Sequence, residues 1–469
     1  VSEVFGLVLI YLTFAGGLVA IVASILATPR RGEIISGATI ALSWIVLILF
    51  FLVPDTTVLG LNLDDYSRFF STVFLLVTTF AVISMWGEDR GLLMGLSVAS
   101  TGGMIAVAAS TDLLTILVAL KTSEAPLLLA IALGKESSSK EAAMKYFILT
   151  LIGAGFLVYG MALLGAITGS FNLVMIAQQL TAVSAESLLG LIFVFVGLAI
   201  ELAVVPFHIW MPDAYQGSYP PIASILSSGS KKASFAAAFK ILIIATPLLR
   251  PYWGNLFLYF SLLTMTFGNL LALVQTNVRR MLAYSSIAQA GYIMMAFAGA
   301  SIVLPFDPAL AQQNLAGGLL HIINHSVLTS TLFIAAKIGS KFLGENIEDW
   351  KGAAYRSLPL ALSISIMLFS LAGIPLLGGF FSKLYLFRAV LEAGLPWLAL
   401  AAFINSALSL GYYARWAGYM FMGSASPRSP IRSKSSLIVY AGAVLTVFLG
   451  VEPRPILALC LSAASSLLI

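Results

Sequence analysis

The chain has 469 residues, 60% of them hydrophobic and 10% charged, with a formal net charge of +5. Apolar runs of about twenty residues recur along its whole length, enough to cross ~30 Å of hydrocarbon, so it reads as a polytopic membrane protein without a soluble domain of useful size. One cysteine, Cys460, excludes an internal disulfide, an iron–sulfur cluster and a cysteine zinc site in this chain, and the mild basic excess points to loop anchoring rather than nucleic acid.

The first apolar stretch follows Glu3 without the basic segment and small-residue cleavage site of a signal peptide, so it is expected to be a span. Hydropathy predicts about fourteen helices: 4–28, 34–53, 68–86, 91–110, 111–133, 142–168, 184–212, 218–249, 254–276, 279–303, 313–339, 357–388, 395–422 and 435–451. The piece 455–469 follows Pro453 and is short enough to lie partly in the interface.

On that map one side collects Arg30, Arg31, Arg90, Lys135, Lys140, Lys145, Arg279, Arg280, Lys341, Lys351, Arg356, Arg428, Arg432 and Lys434. The other holds Arg68, Arg250 and Arg454. The positive-inside rule makes the first side cytoplasmic, and an even number of spans then puts both termini outside a multi-pass protein of the cell membrane.

Two spans carry related interruptions, Glu201-Leu-Ala-Val-Val-Pro206 in the seventh and Ser370-Leu-Ala-Gly-Ile-Pro375 in the twelfth. Proline removes a backbone donor and frees carbonyls one turn earlier, and Gly373, Gly378 and Gly379 loosen the second break. An odd separation of five spans makes the two copies enter the membrane from opposite sides, as in an inverted repeat; a simple proline kink is the alternative. The expected fold is an all-α integral membrane protein with about fourteen transmembrane helices, two inverted five-helix repeats and broken helices seven and twelve. Its expected parts are 1–90 (helices one to three), 91–250 (first repeat, helices four to eight), 251–422 (second repeat, helices nine to thirteen) and 423–469 (helix fourteen and tail).

Ionisable groups inside spans cost about 2.5–3.5 kcal/mol each on insertion scales and usually mark an ion or proton path. Lys121, Glu124, Glu201, Lys231, Lys232 and Lys383 fall inside the predicted spans, as does Lys240, whose position near a helix end favours snorkelling. Lys337 and Arg388, also near ends, read as anchors. Lys121 and Glu124, three apart, share a helix face and can neutralise each other. His321, Asn324 and His325 line one face of span eleven, where imidazoles suit proton relay better than metal binding, since no carboxylate or thiol stands near them in sequence. His208, beside Trp210, reads as an interfacial or hydrogen-bonded residue. The polar run from Gly268 and Asn269 through Gln275, Asn277, Arg279, Arg280, Tyr284, Ser285, Ser286 and Gln289, with Tyr412, Tyr413 and Arg415, should face the protein interior. No phosphate loop, nucleophile elbow or metalloprotease motif appears in the sequence.

From about span three to span thirteen the chain resembles the antiporter-like subunits of respiratory complex I and their Mrp-type cation/proton antiporter relatives. The resemblance rests on Val205-Pro-Phe-His-Ile-Trp-Met-Pro-Asp213 through Gly217, Gly229-Ser-Lys231, Gln275-Thr-Asn-Val-Arg-Arg-Met-Leu-Ala-Tyr-Ser-Ser286 and Leu371-Ala-Gly-Ile-Pro375 through Lys383. Glu141-Ala-Ala-Met-Lys-Tyr-Phe147 and Tyr215-Gln-Gly217 look most like the N-type subunit, whereas His321 to His325 look like M-type sequences.

In that family a glutamate on span five pairs with a lysine on span seven, and lysines on spans eight and twelve continue a hydrated polar axis. Span eight matches at Lys231 and span twelve at Lys383, but Lys121 stands where the glutamate is expected and Glu201 where the lysine is expected. The resemblance therefore implies a charge-swapped pair, Lys121 with Glu201, with Glu201 also available to Lys231. The alternative is a local pair of Lys121 with Glu124.

The implied function is a proton-translocating membrane subunit of a redox-driven quinone oxidoreductase, with no redox chemistry and no cofactor in this chain. Flavin, iron–sulfur clusters and quinone are expected in partner subunits, and the partners are other membrane subunits, protons or sodium, and lipid. A cation/proton antiporter or membrane-bound hydrogenase subunit is the alternative, and a passive scaffold a third.

Overall fold

In hydrocarbon each backbone N–H and C=O must be satisfied within its own segment, and the apolar runs do this as helices. A computed structural model describes residues 2–134, 136–423 and 429–468; Lys135 and Arg428, used above to assign sides, lie outside the described residues. The chain begins with α1 (Ser2–Leu26) and α2 (Pro29–Phe51), then a hairpin of β1 (Thr56–Val58) and β2 (Leu61–Leu63). Next come α3 (Asp65–Met85), α4 (Gly91–Ala109), α5 (Leu113–Ala132), α6 (Ser137–Thr168), the short α7 (Leu173–Gln179), α8 (Ala185–Glu201), α9 (Trp210–Gly217), α10 (Pro220–Ile225) and α11 (Lys231–Phe239). The second half holds α12 (Arg250–Leu273), α13 (Val278–Val303), α14 (Pro308–Phe342), α15 (Ala353–Arg356), α16 (Leu358–Ala372), α17 (Gly378–Glu392), α18 (Pro396–Phe421), α19 (Ser436–Val451) and α20 (Arg454–Ser465).

Among the described residues the hairpin is the one sheet in an otherwise helical fold; its Leu61 bridges Ser110 at the end of α4. Among the described residues ten helices are long and apolar enough to cross a membrane, or eleven if α19 and α20, bent by 80°, count as one. Spans seven, eight and twelve of the hydropathy map are absent from that number because each is in pieces shorter than eighteen residues.

The breaks fall where proline predicted them. α8 stops at Glu201 and the chain turns through Pro206 before α9; Trp210 Nε1 donates at 2.9 Å to the Ile200 carbonyl, which also accepts from the Ala203 N–H at 3.1 Å. α16 stops at Gly373, whose φ of +93° closes the helix in a conformation glycine adopts without strain, and Ser370 Oγ accepts from the Gly379 N–H at 2.9 Å to seat α17. Span eight, predicted as one helix, instead carries wide π-type turns at Leu226–Ser230 and Lys240–Ala245 on either side of α11. Such turns rotate side chains off the ordinary helical register and recur at functional sites.

Burial ranks the helices. The most apolar windows of α13 and α14 are 94% and 100% buried, against 33% for α1, α2 and α6, so the helices carrying Gln289 and the two histidines form the centre.

Candidate functional site

Asp112 caps α5 by accepting from the Thr115 N–H at 2.7 Å, and Lys121 lies farther along the same helix. Its Nζ lies 2.7 Å from Glu124 Oε2 and 2.5 Å from Glu201 Oε1. The two pairings weighed from the sequence are thus both made: one ammonium sits between two carboxylates. Glu124 and Glu201 are buried, whereas the Lys121 side chain keeps 32% exposure. With all three groups ionised the cluster carries one excess negative charge. A desolvated ion cluster of this kind is a poor source of stability unless every charge is matched.

Glu201 does not pair with Lys231, contrary to the sequence expectation; among the described residues Lys231 makes no ion pair. The reason is directional. Glu201 ends α8 with its carboxylate turned to α5, while Lys231 Nζ reaches α13, donating to the Ser286 carbonyl at 2.9 Å and lying 3.7 Å from Met211 Sδ on α9.

His321 and His325 lie in the middle of α14, and Lys383 lies on α17, which packs against it. His321 Nε2 lies 2.8 Å from Gln289 Oε1 and Nδ1 3.1 Å from Ser382 Oγ. The His325 ring is 6.4 Å from that of His321, as four-residue spacing dictates, and neither of its nitrogens has a protein partner. Asn324 Nδ2 donates back to the Leu320 carbonyl at 3.3 Å. Lys383 Nζ donates to the Leu371 carbonyl at 2.7 Å and to Ser406 Oγ at 2.9 Å, and stands 4.8 Å from the Tyr292 ring centre. It thereby places a positive charge at the carbonyl end of α16, where the helix dipole favours one.

The polar run faces inward in part: Asn269, Ser285, Ser286 and Gln289 are fully buried, whereas Gln275, Asn277, Arg279, Arg280 and Tyr284 are half-buried, with Asn277 and Arg279 bonded to Glu345 at the surface. Tyr413 and Ser285 share a hydroxyl contact of 2.5 Å, Tyr412 donates to Asn269 Oδ1 at 3.0 Å, and Arg415 donates to the Leu273 and Gln275 carbonyls. His208 is partly exposed beside Tyr284, with its Nδ1 unpartnered. Among the described residues no three His, Cys, Asp or Glu side chains gather as a metal site.

Lys240 does not snorkel: the π-type turn that begins at it directs it inward, 2% exposed, to donate to the Ser110 carbonyl at 2.9 Å with the Tyr66 ring 5.5 Å away. Lys337 is buried and held by Glu88 at 2.8 Å, whereas Arg388 is the exposed end residue expected, paired with Glu392 at 2.7 Å. Not anticipated was a cluster at the open end of the first break. There Asp213 takes Lys145 at 2.7 Å and Arg280 at 2.6 Å beside a cavity of about 210 Å³ lined also by Glu141, Gln216 and Glu345. Its only sequence signal is Pro212-Asp213 directly after the break.

Residues 110–409 match the family described as NADH:quinone oxidoreductase/Mrp antiporter, TM. The chain is 34% identical over 427 residues to F(420)H(2) dehydrogenase subunit N of Methanosarcina mazei, covering 86% of this chain and 84% of that one. It is 36% identical over 374 residues to NADH-quinone oxidoreductase subunit N of Trichlorobacter lovleyi, covering 76% and 74%. A chain of respiratory complex I from Thermus thermophilus superposes with a TM-score of 0.83 at 26% identity, over 97% of this chain and 99% of that one. The spacing of the broken helices, the buried ionisable residues between them and these likenesses agree: the chain belongs to the NADH:quinone oxidoreductase/Mrp antiporter membrane family, and within it is most like the N-type subunit.

Proposed function

We propose that this chain is a proton-translocating membrane subunit of a redox-driven quinone oxidoreductase, with the electron-transfer chemistry, flavin, iron–sulfur clusters and quinone in partner subunits. The observation that carries this reading is the series of ionisable side chains buried in lipid-spanning helices: Glu124, Glu201, Lys231, His321, His325 and Lys383 are each at most 5% exposed. Charged and titratable groups are retained at such depth for ion paths far more often than for stability.

In this reading Lys121, Glu124 and Glu201 form the switch, since loosening one carboxylate from Lys121 changes the charge beside the first break. Movement of α9 passes that change on, because Met211 touches Lys231. Lys231, the His321–His325 pair and Lys383 carry the proton, and imidazoles suit the middle of the route because their unperturbed pKa lies near physiological pH. The spans 91–250 and 251–422 act as two inverted repeats around it. Both termini lie outside, with the side of Arg90, Arg279, Arg356 and Lys434 in the cytoplasm.

Two steps test the proposal. Purification through an affinity tag on this chain should recover membrane and redox subunits of one complex. In inverted membrane vesicles that complex should acidify the lumen when its electron donor is added, and Lys231→Met should lower acidification while quinone reduction persists. Recovery of the chain alone, exchanging sodium for protons in liposomes without electron transfer, would reject it in favour of a free-standing antiporter.

A further inference from the structure

We propose that Lys232 is a second proton-carrying residue of span eight, placed between Lys231 and His325; the inference rests on the proton-translocating function above. Lys231 and Lys232 are consecutive and fully buried, yet they lead to different helices. Lys231 is anchored to the Ser286 carbonyl on α13 at 2.9 Å. Lys232 Nζ has no hydrogen-bond partner, and among the described residues it makes no ion pair; the Phe235 ring centre lies 5.9 Å away.

The packing of span eight on α14 shows what Lys232 faces. Ser224 Oγ meets Ser330 Oγ at 2.8 Å, Ser228 Oγ meets Thr329 Oγ1 at 2.8 Å, and Ser326 Oγ donates to the Ser228 carbonyl at 3.1 Å. Farther along, Gly318 lies against Phe239, whose Cζ would be 3.4 Å from an added Cβ. Rising numbers on one segment meet falling numbers on the other, so the two run antiparallel. Lys232 is four residues beyond Ser228, past the end of the π-type turn, and His325 is one turn before Thr329, whose hydroxyl donates to the His325 carbonyl at 2.7 Å. The register therefore brings Lys232 and His325 to the same level of one interface, the two titratable side chains there whose side-chain nitrogens all lack protein partners.

Buried polar nitrogens are satisfied by one another or by water. Two adjacent ammonium groups with no carboxylate in contact repel, so a proton arriving on one promotes release from the other. The Lys231 ammonium gives its proton to the neutral Lys232 amine, and the resulting Lys232 ammonium gives a proton to a free imidazole nitrogen of His325. Both lysines end neutral and the charge has moved from α11 to α14.

The test uses the whole complex in liposomes, with protons moved per electron as the readout and uncoupled electron transfer as the control. Lys231→Met probes the underlying reading, Lys232→Met the inference, and Lys232→Arg keeps charge and bulk but cannot release its proton. Both Lys232 variants are expected to slow proton transfer through this chain by roughly 10²-fold, the usual contribution of a positioned proton-transfer group, and so to lower the ratio. Lys232→His, which can still bind and release a proton, is expected to recover part of it. A wild-type ratio in Lys232→Met or Lys232→Arg, with Lys231→Met impaired, overturns the role of Lys232 and leaves the function standing. A wild-type ratio in Lys231→Met as well overturns both. If Lys232→Met fails to assemble, Lys232→Arg alone decides.

Discussion

Lys121 Nζ and Glu201 Oε1, 80 residues apart in sequence, meet at 2.5 Å between α5 and the end of α8. Their signs are the reverse of those that the resemblance implies, and the contact is made. Coulomb attraction does not depend on which helix supplies which charge, provided that both stay within reach. What differs is the company: Glu124 adds a second carboxylate, so the ammonium is shared.

Reversing one partner should therefore be costly and reversing both tolerated. Lys121→Glu alone sets three carboxylates together, and Glu201→Lys alone leaves two ammonium groups with one carboxylate. Each is expected to lose about 3–5 kcal/mol, the usual penalty for breaking a buried pair. The double variant Lys121→Glu/Glu201→Lys restores the charge sum and should recover assembled complex on native gels to near the wild-type amount. Double-variant levels no higher than those of the singles would contradict the exchange.

Lys383→Met should separate stability from transport. The lysine donates to the Leu371 carbonyl and to Ser406 Oγ, so its removal strips a donor from the end of α16, a loss of about 1–3 kcal/mol. Thermal unfolding of the complex in detergent is expected to show a modest decrease, with proton movement falling much further. Equal proportional losses of both would make Lys383 a structural cap only.

Close helix contacts can be tested without touching the charges. A Cβ on Gly291 would lie 2.6 Å from the Met265 nitrogen and 2.7 Å from the Ser261 carbonyl oxygen, so Gly291→Ala must push α12 from α13. Overpacking of this kind costs about 1–3 kcal/mol. Gly155→Ala, with nothing within 4 Å, should be neutral or slightly stabilising through helix propensity. Equal thermal stability of the two variants would count against the packing described.

Much of this arrangement was legible in the chain. Pro206 and Pro375 mark the breaks because a missing N–H weakens a helix there, although Pro126 is carried inside the continuous α5, and the spacings of Lys121 with Glu124 and of His321 with His325 declare shared faces. What could not be read is direction across helices. Glu201 and Lys231 look like partners along the chain, but one turns to α5 and the other to α13. Lys240 looked close enough to a helix end to reach water, yet the π-type turn beginning there sends it to the Ser110 carbonyl. Asp213 gathers Lys145 and Arg280 from two other helices, a meeting that hydropathy cannot register. The likeness to known subunits supplied the order of the lysines, whereas the adjacency of Lys232 and His325 emerges only from the antiparallel register of span eight and α14.

The central claim is that the buried lysines carry protons, and the ratio of protons moved to electrons transferred tests it most directly. Purified complex in sealed liposomes, carrying Lys231→Met together with Lys383→Met, should transfer electrons at near the wild-type rate under uncoupled conditions and move fewer protons for each. An unchanged ratio in fully assembled double-variant complex would contradict the account.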